Sequence, residues 1–253
     1  MKISLVMITK NEEKILAKSL SSVKGLVDEI IIVDSGSTDN TVKIANDFGG
    51  KVFQRDFDSF SNQKNYALSL AANEWVLHLD ADEVLSGELR DEIRNTLDST
   101  IVDGFYLIRT NFFLGKQMKH AGLGKEDRLR LAKKSLSKYI GGIIHEELRV
   151  DGKLGYMKKL FYHHTCPTLD NYFIKFDKYT TFGAIKMYEN KKKFYITDLV
   201  FRPVIEFIKR YIIRLGFLDG IEGFIWAVLG MYYSFTKYVK LWQLIKTNNR
   251  RNQ

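Results

Sequence analysis

The stretch EIIIVDSGSTDNTVKIANDFGG, residues 29–50, decides the fold. Its first six residues form a mostly aliphatic run that ends in an aspartate, the pattern of a strand buried on both faces. A turn of small residues follows. Then comes NTVKIANDFGG (40–50), a helix closed by glycine. The same alternation recurs on either side. ISLVMI (3–8) reads as a buried strand, and EEKILAKSLSSV (12–23) carries apolar residues at helical spacing. KVFQR (51–55) is a short strand, SNQKNYALSLA (61–71) a helix and WVLHLD (75–80) a fourth strand. Strands alternating with helices predict βαβ units, an α/β fold and a mainly parallel, Rossmann-like sheet. Ligands of such sheets lie beyond the carboxyl ends of the strands. Thr9, Asp34 and Asp80 all fall at those ends.

With 253 residues, 45% of them hydrophobic and 27% charged, the chain suits one α/β domain with an appendage and excludes bulk disorder. One cysteine, Cys166, excludes an internal disulfide framework and a cysteine-based zinc site, and fits a reducing cytoplasm. The opening MKISLVMITKNEE does not read as a signal peptide, because its apolar run is short and breaks at Lys10. The net charge of +9 is concentrated: residues 186–253 hold 13 Lys and Arg against 5 Asp and Glu, a net of +8. A nearly neutral body with a basic, aromatic tail is not a nucleic-acid-binding chain, and no nucleic-acid partner is expected.

Residues 104–165 mix short strands with glycine loops; GFYLIRTNFF, RLRLA, EELRV and LGYMKKLFYHH are strand-like. The remainder is helical, so the expected division is 1–165 and 166–253, with Pro167 and Pro203 near junctions. FIWAVLGMYYSF (224–235) has twelve uncharged residues, too few to span a bilayer. FRPVIEFIKRYIIRLGF (201–217) mixes aliphatic residues with Lys209, Arg210 and Arg214. Such segments suit helices lying in an interface, basic side chains toward an anionic membrane surface. A core-packing appendage and a homodimer contact are the alternatives.

Three motifs carry chemistry. LDADE ends a strand with Asp80 and Asp82, two carboxylates two residues apart, followed by Glu83. Such a pair can hold a divalent cation that in turn holds substrate phosphates, since Mg²⁺ keeps waters and needs few protein ligands. A solvated acidic turn is the plainer reading. VDSGSTDNT reads either as a turn with a helix cap or as a carboxylate, Asp34, offered to a base N–H or to ribose hydroxyls. Neither G-x-G-x-x-G nor a P-loop is present. Among the histidines, His145 in GGIIHEEL reads as a hydrogen-bonded structural residue or as a further metal or phosphate contact. His163 and His164 in YHHT point to opposite faces of a strand and cannot both serve one metal.

MITKNEE, IIVDSGSTDNT, SNQKNYAL and WVLHLDADE, in this order, resemble the family 2 glycosyltransferases of GT-A fold. Within them the chain is most similar to the lipopolysaccharide-core β-glycosyltransferases, often glucosyltransferases. The resemblance continues through NFFLGKQMKHAG, EDRLRL, IIHEEL and the carboxyl-terminal helices. It implies a GT-A nucleotide-sugar domain with a helical, membrane-associating extension, located peripherally on the inner face of the cytoplasmic membrane. The implied activity is inverting transfer of a sugar, with UDP-glucose as the donor pointed to, onto a lipid-linked saccharide such as lipopolysaccharide core. Thr9, Asn11 and Glu12 would line the nucleotide pocket, Asp34 would bind base or ribose, and Lys64 would lie near base or phosphates. Asp80 and Asp82 would hold diphosphate and a divalent cation, Mg²⁺ or Mn²⁺, with His145 as a further ligand. EDRLRL matches the acid-acid motif that supplies the catalytic base, giving Asp127 with Glu126 beside it; the plainer reading of Asp127 is a helix-cap acid or a salt-bridge acid beside Arg128. One departure is Ala132, where relatives often carry an aromatic residue. The chemistry asks for the same parts: a base for the acceptor hydroxyl proton and positive charge on the departing diphosphate. Transfer to another polyprenyl-linked saccharide or to protein, and nucleotide-sugar binding without turnover, are the competing readings.

Overall fold

In the computed structural model, which describes residues 1–141, 146–166 and 168–251, β1 (Ile3–Thr9) and β2 (Glu29–Asp34) run parallel with Thr9 opposite Asp34. β3 (Lys51–Gln54) adds in parallel to β2, and β4 (Trp75–His78) to the other side of β1. The intervening helices are α1 (Leu16–Ser22), α2 (Thr41–Asp47) and α3 (Phe60–Leu70). Side chains alternate across a strand, and both faces are covered. Leu5, Met7, Ile32 and Leu77 pack with Leu16, Leu20 and Ala45, whereas Val6, Ile31, Val33 and Val76 pack with Ala67 and Leu68. That double burial is why these strands read as unbroken apolar runs.

Beyond β4 follow β5 (Glu83–Leu85), α4 (Gly87–Leu97), β6 (Gly104–Phe113), β7 (Lys116–Gln117), β8 (Glu126–Lys133), β9 (Ser137–Gly141), β10 (Glu146–Val150) and β11 (Leu154–Cys166). The large sheet has the order β3-β2-β1-β4-β8-β6-β11-β5, with β7 on β6; β9 and β10 form a separate pair. The sheet is therefore mixed. Its parallel part is the one read from the alternation, and the β4–β8, β6–β8 and β11–β5 pairs are antiparallel. β6, β8 and β11 are joined by loops and short strands, not by the long crossover helices that parallel neighbours need. The sequence reading passed over α4, which starts at a Ser86 cap accepting from Leu89 N at 3.1 Å and buries Leu89, Ile93 and Leu97 along one stripe.

The chain forms two compact units: Met1–Thr110 with Lys125–His164, and Asn111–Gly124 with Thr165–Gln253. The sequence assigned 111–124 to the first part. In the structure Phe113 and Met118 of that segment pack with Cys166, Tyr172, Phe176 and Leu229 in the second unit. This unit holds α5 (Leu169–Glu189), α6 (Asp198–Ile208) and α7 (Gly220–Arg251). α6 runs on into a π-helical turn, Lys209–Ile213, and a 3₁₀ turn, Gly216–Asp219. Pro203 is not at a junction. It lies inside α6 and is buried; Pro167 lies outside the described residues. A Cβ on Gly223 would come within 1.9 Å of the Gly216 carbonyl oxygen, so this corner requires glycine. Among the described residues no helix is long and apolar enough to cross a membrane.

Candidate active site

At the carboxyl ends of β1 and β2 two loops are sewn together. Asp34 is fully buried and accepts four hydrogen bonds: from Thr9 Oγ1 (2.9 Å), Gly36 N (3.0 Å), Ser37 N (2.8 Å) and Ser37 Oγ (2.5 Å). Burial alone would raise its pKa, but these donors outweigh it and hold the carboxyl below its ordinary value. Asp34 thus spends its acceptor capacity on shaping the SGS turn. Asn11, at φ 56°, receives that turn: its N–H donates to Ser37 Oγ at 2.9 Å and its Oδ1 accepts from Thr38 N at 2.8 Å. Glu12 N donates to Thr41 Oγ1 at 2.7 Å, tying the first loop to the start of α2. Lys10 donates to the carbonyls of Ser35 and Gly36.

The SNQKN motif on α3 has a separate task for nearly every residue. Gln63 donates to Ser35 Oγ and to the Arg55 carbonyl, both at 3.0 Å. Asn65 makes a two-way bond with the Tyr139 backbone, 2.8 Å each way, which fixes β9 against the helix. Between them Lys64 is buried, its Nζ 2.7 Å from Asp80 Oδ1 and 2.8 Å from Glu146 Oε1. Burial would lower the pKa of this ammonium; Asp80 overrides it and raises the pKa.

Asp80 has a second cationic partner that sequence reasoning missed. Arg130 reaches Asp80 Oδ2 at 2.7 Å and Glu83 Oε1 at 2.6 Å. It does so because β8 bulges there: Leu131 faces Phe105 and Leu129 faces Tyr106, which leaves Arg130 as the extra residue. Burial would push the Asp80 carboxyl up, but Lys64 and then Arg130 bring it below its ordinary value. The chain of charge continues from Glu83, fully buried, to Arg109 (3.5 Å), on to Glu126 (2.5 Å) and to Arg128 (2.5 Å). His78, buried just before Asp80, has neither ring nitrogen hydrogen-bonded, and burial with nearby Arg130 and Lys64 pushes its pKa down to about 3.

Asp82 lies at the rim beside His163, whose Nε2 is 3.4 Å from Asp82 Oδ2. His164 turns the other way, with Nε2 3.2 Å from Lys18 Nζ, as strand alternation requires. Asp127 is exposed on β8 opposite Ile108, whereas its neighbour Glu126 pairs with Arg109, so the two acids of the EDRLRL motif project from opposite faces of the strand. Ala132 is buried against Tyr139 and Leu148. His145 lies outside the described residues. Among the described residues no three His, Cys, Asp or Glu side chains converge as a metal cage. Asp80 and Asp82 are hard oxygen donors in the turn between β4 and β5; a divalent cation there would share the Asp80 oxygens with Lys64 and Arg130 and take its remaining ligands from water and phosphate.

The family model for glycosyl transferase family 2 matches residues 4–148. The chain belongs to that family and is a glycosyltransferase. An uncharacterized glycosyltransferase of Rickettsia typhi is 31% identical over 98% of this chain and 89% of its own length. The lipopolysaccharide core biosynthesis glycosyltransferase LpsC of Rhizobium meliloti is 29% identical over 95% of this chain and 92% of its own. The crystal structure of Staphylococcus aureus TarS 1–349 in complex with UDP-GlcNAc aligns over 100% of this chain and 93% of that one, with 16% identity and a TM-score of 0.49.

Proposed function

We propose that the protein is an inverting transferase that moves a sugar, glucose from UDP-glucose, onto a lipid-linked saccharide such as lipopolysaccharide core at the inner face of the cytoplasmic membrane. The observation that carries this reading is Asp80 held between Lys64 and Arg130 at the carboxyl end of the parallel strands. Two cations and a carboxylate gathered there are the groups that binding a diphosphate asks for. Likeness to LpsC over almost the whole chain supports the acceptor class.

In this reading the loops clipped by Asp34, Asn11 and Glu12 form the wall against which base and ribose rest, with Thr9 holding Asp34 in register. Lys64 and Arg130 share their charge between Asp80 and the donor phosphates, which lowers the barrier as negative charge builds on the leaving oxygen. Asp80 and Asp82 would hold a divalent cation, Mg²⁺ or Mn²⁺, which would supply further positive charge to the diphosphate. Asp127, exposed on β8, takes the acceptor hydroxyl proton as that oxygen attacks the anomeric carbon. The attack breaks the bond to the diphosphate and inverts the anomeric centre without a covalent enzyme intermediate.

The test is turnover of UDP-glucose with a truncated lipopolysaccharide core and with a polyprenyl-linked saccharide, following UDP release and the anomeric configuration of the product. Transfer with inversion to the core is expected. Retention, or donor binding with neither transfer nor hydrolysis, would overturn the reading.

A further inference from the structure

β8 begins at Glu126, and the pair Arg109–Glu126 is the end rung of its ladder with β6; Asp127, opposite Ile108, is on the next rung in. The proposed base therefore stands one residue from the open end of a strand pair, and strand ends are where local opening starts. Arg109 closes that end. Its Nε and Nη2 both donate to Glu126 Oε1, at 3.0 and 2.5 Å, and Arg128 donates to the other oxygen, Oε2, at 2.5 Å. Arg109 is anchored in turn, with Nη1 3.5 Å from Glu83 Oε1. The Glu83 carboxylate is fully buried: Oε2 accepts from Asp80 N at 3.0 Å and Oε1 from Arg130 Nη2 at 2.6 Å. The topology explains how Glu83 comes to meet Arg109. Only residues 79–82 join β4 to β5, although β8, β6 and β11 lie between those two strands in the sheet order. With adjacent strands about 4.8 Å apart, a flat sheet would separate them by about 19 Å, more than the about 17 Å this connection reaches when extended. The sheet therefore curls and carries the start of β5 back toward β6 and β8.

We propose that Arg109 is a positioning residue for the transfer step: by bridging buried Glu83 to Glu126 it fixes the end of β8 and so sets where Asp127 stands relative to Asp80 and Arg130, which Glu83 also holds. An exposed ion pair would fix little. Here the Glu83 side chain has no exposed area and that of Arg109 is 13% exposed, so the bridge holds one geometry. The chemistry needs that geometry. A base removes a proton only within hydrogen-bond reach of it, and a misplacement of about 1 Å can cost about 10²-fold in rate. The Asp127 side chain is exposed, so the backbone that carries it is what can be fixed, and Arg109 acts on that backbone from the neighbouring rung. Arg109 reaches neither the Asp80 carboxylate nor Lys64 in any of these bonds, which separates its task from that of Arg130. The inference rests on Asp127 as the base, and the experiment reads that assignment by itself.

The experiment is a double-mutant cycle on the full chain. It reads kcat for transfer from UDP-glucose to a truncated lipopolysaccharide core, UDP affinity by titration calorimetry, and the melting temperature. Arg109→Met should lower kcat about tenfold or more. Arg109→Lys keeps the charge but lacks the fork that reaches both acids, and should recover only part of that loss. Glu126→Gln breaks the bridge at its more exposed end and leaves Glu83 paired with Arg130, so it serves even if Arg109→Met does not fold; its kcat should fall to a similar degree. UDP affinity should stay within about twofold of wild type in each, because Lys64, Asp80 and Arg130 keep their contacts. In an Asp127→Asn background neither Arg109→Met nor Glu126→Gln should lower kcat by more than about a further twofold, since a residue that acts through Asp127 has nothing left to position. A purely structural bridge would instead give the same loss in both backgrounds, and that result overturns the proposal. So does a Glu126→Gln enzyme with kcat within about twofold of wild type, or a loss of UDP affinity that matches the loss of kcat. Asp127→Asn turning over like wild type overturns the base assignment itself, and the proposal with it.

Discussion

Lys64, Glu83 and Arg130 in the first unit are buried charges, and each of the two cations has a carboxylate within 2.7 Å. On α6 in the second unit the exposed residues are aliphatic, and Asp198, Glu206 and Arg210 face inward. Both regions depart from the usual distribution of polar and apolar side chains, in opposite directions. The difference lies in what completes them. The buried charges compensate one another inside the chain, with Asp80 paired to both cations at the rim. The aliphatic stripe stays exposed among the described residues. Substitutions that separate the two cases follow, ordered by size of effect.

Arg130→Met should have the largest effect. It leaves Glu83 and Asp80 facing a buried void of charge, and breaking a buried pair of this kind costs about 3–5 kcal/mol. Chemical denaturation should register that loss, and turnover should fall with it. A variant as stable as wild type would mean that Arg109 and Lys64 alone neutralise the two acids.

Asp127→Asn should separate chemistry from folding. The side chain is exposed and on the other face of β8 from the buried charge chain, so the melting temperature should hold. Loss of a general base reduces the rate by about 10²–10⁴-fold. Donor affinity, read by titration with UDP-glucose, should be unchanged. If turnover stays within threefold of wild type, the base is elsewhere, and Glu146 beside Lys64 becomes the candidate.

Much of this was legible in the sequence because it is local. Alternating runs such as EIIIVD and NTVKIANDFGG fix strand, turn and helix within a dozen residues, and so fix where Thr9, Asp34 and Asp80 stand. Asp80 was legible as a residue needing a cation, but Arg130, which supplies one, was not. It lies fifty residues away and reaches Asp80 only through a bulge that depends on how β8 pairs with β6. Asp34 shows a different limit. Its position at a strand end was evident, but its donors come from strand pairing with Thr9 and from the geometry of the turn at Gly36 and Ser37, which residue type alone does not fix. Pro203 suggested a junction because proline usually ends helices, whereas here it marks the buried side of α6. The inverted face of that helix was hidden because periodicity gives the stripe but not which side packs on α7.

Asp34→Asn should be intermediate. The amide offers one acceptor oxygen in place of two, so some of the four donors lose their partner, at about 1–3 kcal/mol. The sign of the pH effect follows from a folded-state pKa below the ordinary carboxyl value. Asp34 contributes stability that is present above the unfolded carboxyl range, near pH 4, and is lost as pH falls through its folded pKa. Wild type should therefore lose stability on acidification through that window, and the variant should lose less over the same window. Parallel acid profiles for the two proteins would show that the loop, not the carboxylate charge, is what stabilises this corner.

The smallest effect is expected from Ile205→Ser. In a packed helix an isoleucine-to-serine change would be among the costly ones, because it removes buried hydrocarbon and adds a hydroxyl that needs a partner. Ile205 is 55% exposed on the outward stripe of α6. Its removal takes little apolar surface out of the protein interior, and serine and isoleucine differ little in helix propensity. The expected change in unfolding free energy is within about 0.5 kcal/mol, the range of ordinary surface substitutions. Thermal melts of both proteins in plain buffer measure it. In the presence of anionic vesicles the comparison changes, because a ligand that binds the native state raises its apparent stability, with the logarithm of its concentration over its Kd. Wild type should then melt higher than the variant by more than it does in buffer. A gap already open in buffer, and unchanged by lipid, would mean that Ile205 is covered by protein and that α6 belongs to an ordinary core.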